Sequence, residues 1–222
     1  MSCPYTGTPC TNGGQLKTVT LVSQKGGSGK STLAINLAVA ASHSKKRVLI
    51  IDLDPQKTAE AWYQERTIEN PSLVVATAQQ LPDAISRAEV ANIDLVVIDT
   101  PGRDEPATAS AIRQADYCLI PCRPTPADLL AIPPTLNTIK RLVKPFAFVL
   151  TQTPPKGSRI HEALSGLSKL HSDVSPLIVS RVPYQDAQGA PRTKRGQVQF
   201  SSFLVFPAFV VSIPSRVSLH FA

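Results

Sequence analysis

Six short apolar runs punctuate the chain, at residues 18–23, 47–53, 73–76, 95–99, 117–121 and 146–151. Most are continuous in Val, Ile and Leu rather than alternating with polar residues, the pattern of strands covered on both faces in a parallel sheet. The intervening stretches predict helices at 30–42, 57–69, 82–91, 105–114, 135–144 and 159–171. Pro82 and Pro134 suit a first helical turn, where a missing N–H costs nothing. Strand and helix signals in alternation predict an α/β fold: a doubly wound, mostly parallel sheet with helices on both faces and right-handed crossovers. Ligands in such sheets bind beyond the carboxyl ends of the strands, so the loops that follow strands are where chemistry is expected.

The pattern fails near the end. Residues 200–213 are apolar but keep neither a helical nor a strand period, and Pro207 and Pro214 interrupt what there is. Phe200, Phe203, Phe206, Phe209 and Phe221, five of the seven phenylalanines, crowd into the last 23 residues. Asp186 is the last acidic residue; Arg192, Lys194, Arg195 and Arg216 follow, so +4 of the net charge of +7 belongs to residues 187–222. These shifts divide the 222 residues into a disordered leader (1–16), a domain (17–189) and an atypical basic and apolar tail (190–222). The abrupt loss of Asp and Glu suggests a change of reading frame near Gly189 and a non-native end.

No run of eighteen or more apolar residues occurs, so no membrane-spanning helix is predicted. The polar start, residues 1–14, lacks the apolar core of a secretory signal, and a cytoplasmic protein is the expectation. Cys3, Cys10, Cys118 and Cys122 have no zinc-type spacing; Cys118 and Cys122 sit in an apolar run as small core residues. The basic excess permits contact with nucleic acid or an anionic membrane. Candidate clusters are Lys140, Arg141 and Lys144 on one predicted helix, and Arg192, Lys194 and Arg195 in the tail.

Three motifs fall at strand ends. The first is Lys25, Gly26, Gly27, Ser28, Gly29, Lys30, Ser31 and Thr32, between the first strand and the first helix. A glycine-rich turn there exposes consecutive N–H groups at a positive helix end, which suits a polyphosphate. Lys30 would reach the β/γ-phosphates and the Ser31 hydroxyl would ligate Mg²⁺. Lys25 stands where the first glycine of such a loop is usual, and a partly buried lysine needs an anion of its own. The second motif is Asp52, Leu53, Asp54, Pro55 and Gln56. Its carboxylates at i and i+2 share a strand face, where they can position water and interact with Mg²⁺, although Asp54 also fits a helix cap. In the third, the apolar run 95–98 ends in Asp99, a residue that can hold Mg²⁺ through water, and continues into Thr100, Pro101 and Gly102, a loop able to sense a γ-phosphate.

Taken together these motifs resemble the ParA/MinD family of deviant Walker-A P-loop ATPases, most closely the small plasmid-partition ParA type. The resemblance covers residues 17–188, including Tyr117 to Pro126 and, more loosely, Thr151, Gln152 and the stretch Pro183, Tyr184, Gln185, Asp186. It implies a weak, partner-stimulated ATPase that binds ATP and Mg²⁺ and forms an ATP-dependent sandwich homodimer. Lys25 would cross to the partner's nucleotide. Residues Gly26, Gly27, Ser28, Gly29, Lys30, Ser31 and Thr32 would hold phosphate, Asp54 would position the hydrolytic water, and Ser31, Asp54 and Asp99 would serve the metal. Gln152 and Pro183 would lie near the adenine. The resemblance further implies non-specific DNA binding, nucleoid association of the ATP form and stimulation by a ParB-type centromere-binding protein. Two other readings stay open: a MinD-like ATPase docking on a membrane without stable insertion, and a non-catalytic DNA-binding regulator that uses ATP as a ligand.

Overall fold

The computed structural model describes residues 15–103, 105–154, 158–170 and 174–175. In chain order the elements are β1 (Lys17–Leu21), α1 (Lys30–His43), β2 (Val48–Asp52), α2 (Thr58–Gln64), β3 (Ser72–Val75), α3 (Leu81–Val90) and β4 (Leu95–Asp99). There follow α4 (Glu105–Gln114), β5 (Tyr117–Cys122), α5 (Pro126–Leu130), α6 (Ile132–Arg141), β6 (Phe146–Leu150), α7 (Ser158–Ser168) and β7 (Val174–Ser175). The strands form one sheet in the order β3-β2-β4-β1-β5-β6-β7, and every pairing is parallel. The expected doubly wound α/β architecture is therefore present.

Continuous apolar strands arise because both faces are covered. On β1, Val19 and Leu21 pack toward α1, whose Leu33, Ala34, Leu37, Ala38 and Ala41 join one core. The alternate residue Thr20 is buried on the opposite side, where its hydroxyl donates to the Ala111 carbonyl of α4 at 3.4 Å. The alanines of α1 let it lie close to the sheet. A second core joins β5 and β6, through Cys118, Ile120, Phe148 and Leu150, to Ile112, Leu136, Ile139 and Leu167 of α4, α6 and α7. A third joins Ile51, Val96 and Ile98 to Leu81, Ala88 and Ala111. Phe148 is fully buried and meets Phe146 edge to face, with ring centroids 5.7 Å apart.

Several boundaries differ from expectation for local reasons. The helix expected over 57–69 ends at Gln64, because Asn70 is drawn across to β2: its side chain donates to the Lys46 carbonyl (2.8 Å) and accepts from the Val48 N–H (3.1 Å). Pro71 also disfavours a helical residue before it. The helix expected over 135–144 runs from Ile132 to Arg141 instead. It ends before Lys144, whose ammonium group donates to the Ala115 carbonyl at 2.8 Å, so Lys140 and Lys144 do not form a shared basic helix face. The short helix α5 was not anticipated. Thr125 caps it by accepting from the Asp128 N–H, Pro126 starts it, and the buried Asp128 carboxylate is gripped by Arg123 and by the Thr125 hydroxyl. Residues 1–14 and 176–222, with Pro183 and the tail cluster Arg192, Lys194 and Arg195, lie outside the described residues.

Truncating Phe148 to Ala should remove about 3–5 kcal/mol of stability, since the rigid sheet cannot collapse into the void. Urea unfolding checks this: the midpoint should fall with the slope unchanged.

Candidate nucleotide site

β1 lies between β4 and β5, so the chain winds outward from it in both directions and leaves a crevice at the carboxyl ends of β1, β2 and β4. All three motifs open there. In register, Asp99 pairs with Leu21 on one side and Asp52 on the other. Between β1 and α1, Gly27 and Gly29 adopt φ values of 72° and 93°, which L side chains rarely reach. Helix α1 starts at Lys30 with no side-chain cap, so its first N–H groups point into the crevice. Gly102 packs against the loop: a Cβ there would lie 3.6 Å from the Gly26 N and Cα and 3.7 Å from the Lys30 Nζ.

The charges are desolvated. Lys30 is 6% exposed, and its Nζ donates to the Ser23 carbonyl at 3.2 Å. Burial lowers its pKa, opposed by Asp99 and Asp54. Asp99 is fully buried, and among the described residues neither of its oxygens accepts a well-formed hydrogen bond. Burial pushes its carboxyl up to about 7, with Asp52 and Asp54 adding to the rise; the nearby Ser31 hydroxyl and Lys30 oppose it. An orphaned carboxylate beside a hydroxyl and near two further acids is a place for a cation. Its donor set fits Mg²⁺, which typically takes one or two protein groups and completes its shell with phosphate and water. Among the described residues no cluster of three or more His, Cys, Asp or Glu could hold a metal unaided.

The two carboxylates of the second motif do different work. Asp52 is fully buried and accepts from the Asp54 N–H (3.0 Å) and the Glu60 N–H (3.2 Å), so it is engaged in shaping the turn. Burial raises its pKa against those bonds. Asp54 is half-buried, and its Oδ1 accepts only the Gln56 N–H at 2.9 Å, which leaves it the acid open to the crevice. Ser31 and Thr32 open α1, and Lys25 is half-buried with no ion-pair partner among the described residues.

Two contacts were not foreseen. The Thr151 hydroxyl, buried just past β6, donates to the Ser28 carbonyl at 2.7 Å, and the Gln152 side chain donates to the Gly27 carbonyl at 3.0 Å. Gln152, expected near the adenine, is thus engaged with the phosphate loop. A Thr-Gln pair ending an apolar strand was the available signal. Thr100 makes a similar tie, donating to the Leu21 carbonyl at 2.7 Å. Cys118 and Cys122 are buried free thiols, each pushed up to about 12 by burial.

A glycine-rich loop at a topological switch point, a buried lysine, and an acid ending the neighbouring strand define a P-loop nucleotide-binding protein. Residues 19–194 match the family model described as the CobQ/CobB/MinD/ParA nucleotide binding domain, and the chain belongs to that family. The chain is 35% identical over 147 residues to maintenance of carboxysome distribution protein A of Gloeobacter kilaueensis, covering 63% of this chain and 65% of that protein, a little under two thirds of its length. Its fold superimposes on a putative plasmid partition protein from Borrelia burgdorferi B31 bound to AMPPNP, with TM-score 0.67, 18% identity, and coverage of 89% of this chain and 99% of that one. It likewise superimposes on the septum site-determining protein MinD from Pyrococcus horikoshii with Mg-ADP, with TM-score 0.63, 16% identity, and coverage of 78% and 85%. At those identities the likeness carries the fold alone.

An acid whose folded pKa is raised holds its proton more tightly folded than unfolded. The cost of Asp99 is therefore absent below pH 3.8, grows with pH, and is complete above about 7. Nucleotide-free Asp99→Asn should be more stable than the parent at pH 8, by on the order of 4 kcal/mol at most, with the gap closing toward pH 4. Thermal melts across that range check it. Added magnesium and nucleotide should raise the melting temperature of the parent by more than that of the variant.

Proposed function

We propose that this chain is an ATP hydrolase of the ParA kind that positions a large intracellular cargo, with plasmid DNA as that cargo. The observation that carries the reading is Asp99, buried beside the glycine loop with the Ser31 hydroxyl and Lys30 near it and no well-formed hydrogen bond to its oxygens among the described residues. Bound Mg²⁺ would neutralise charge developing on the transferred phosphoryl group. Ser31 would hold the metal directly and Asp99 through water, with Asp54 close by. Residues 26–32 would cradle the phosphates through their N–H groups, with Lys30 as counter-charge. Asp54 would orient the attacking water, a task its open position suits. Pro183 would contribute near the adenine.

Among the described residues Lys25 has no ion-pair partner, which supports a role across an interface. Two subunits would then bury two triphosphates face to face, each lending its Lys25 to the other's nucleotide. The paired form would bind DNA non-specifically at the nucleoid, and a ParB-type protein would accelerate hydrolysis. The likeness to maintenance of carboxysome distribution protein A favours a second reading, in which the cargo is a carboxysome. Among the described residues no helix is long and apolar enough to cross a membrane.

Lys25→Ala should still bind nucleotide yet fail to dimerise with ATP in sedimentation velocity. Asp54→Ala should keep the ATP dimer while kcat drops roughly 10²–10⁴-fold, as for loss of a positioned acid–base group. Should Lys25→Ala pair and turn over like the parent, the role of Lys25 across the dimer interface is refuted. Binding to random duplex DNA should weaken steeply with salt; tethering of purified plasmid–ParB complexes, against purified carboxysomes, separates the two cargoes.

A further inference from the structure

Thr151 and Gln152 sit 123 and 125 residues from their partners in sequence, yet each donates to a carbonyl of the glycine loop. The two carbonyls are consecutive, those of Ser28 and Gly27. In a trans peptide the C=O and the following N–H point in opposite directions. Holding the Ser28 carbonyl outward therefore turns the Gly29 N–H inward, and holding the Gly27 carbonyl outward does the same for the Ser28 N–H. Left alone, glycines at φ 72° and 93° have freedom to rotate these peptides and present oxygen, which repels phosphate. Gln152 itself adopts φ 51°, an uncommon conformation for a residue with a side chain, and its amide contact with Gly27 accompanies it. The Thr151 side chain also closes one side of the loop, 3.6 Å from where a Cβ on Gly29 would lie.

We infer that Thr151 and Gln152 are positioning residues that preset the polarity of the phosphate loop, turning its N–H groups toward the anion before any nucleotide arrives. They act on the polyphosphate through the loop, without touching the base. This deepens the nucleotide-site reading proposed above and rests on it. Preorganisation of this kind shows in affinity for the anion, since the unclamped loop must spend binding energy on its own ordering.

The test measures Kd by calorimetry for ATP and for inorganic tripolyphosphate, which has no base, in magnesium buffer. Gln152 is exposed, so Gln152→Ala leaves the fold intact. Thr151→Val is isosteric but cannot donate, and Thr151→Ser restores the donor. Loss of one such bond should raise both Kd values by the same factor, about five- to tenfold, in Gln152→Ala and in Thr151→Val, with Thr151→Ser close to the parent. A rise for ATP with tripolyphosphate unchanged would put these residues on the base and overturn the inference. Unchanged affinities for both ligands would overturn it too, as would a Thr151→Ser variant as weak as Thr151→Val, which would mark a packing role. A parent protein that binds neither ligand would sink the phosphate-site reading itself, a failure visible before any variant is made.

Discussion

The crevice is organised around the desolvation of Asp99. A carboxylate taken wholly out of water at the end of a central strand is costly unless it is neutralised or paired. Here the opposing cation, Lys30, is itself buried and tethered to a backbone carbonyl, while Asp52 and Asp54 worsen the imbalance. The sheet enforces this arrangement, because parallel register sets Asp52 and Asp99 side by side and covering helices exclude water from both. Such strain is typical of a site whose electrostatics are complete only when a ligand supplies the missing charge.

The rest of the crevice divides labour among similar groups by burial. Asp52 and Asp54 stand two residues apart, yet one is used up in bonds to the turn that follows β2 and the other faces the opening. Lys30 and Lys25 differ in the same way, one embedded behind the loop and one half-exposed on it. Identical chemistry acquires separate duties from position alone.

The strands were legible because both faces of each are covered, which writes continuous Val, Ile and Leu runs into the sequence; those at 95–99 and 117–121 lie within a residue of β4 and β5. The glycine loop and Asp99 were legible for a different reason, since few residue types satisfy their geometry. Helix ends were less so. The end of α2 depends on Asn70 reaching β2, and the end of α6 precedes a lysine that caps a carbonyl on another loop, both long-range contacts that no local window contains. α5 was hidden because its cap rests on a pair between the half-buried Arg123 and the buried Asp128, in a segment to which no helix was assigned. Thr151 was hidden because its partner is far off in sequence, and the tail lies outside the described residues.

The all-parallel topology also bears on how the protein comes off the ribosome. Its loop between β1 and α1 is made early, but β4 joins β1 only through residues 95–99, and the Thr151 hydroxyl reaches Ser28 across 123 positions. Contacts so remote in sequence form late and slowly. A nascent chain halted short of β6 would carry every glycine of the motif yet lack the Thr151 and Gln152 contacts to the loop carbonyls, so the loop is finished only once the chain has passed β6.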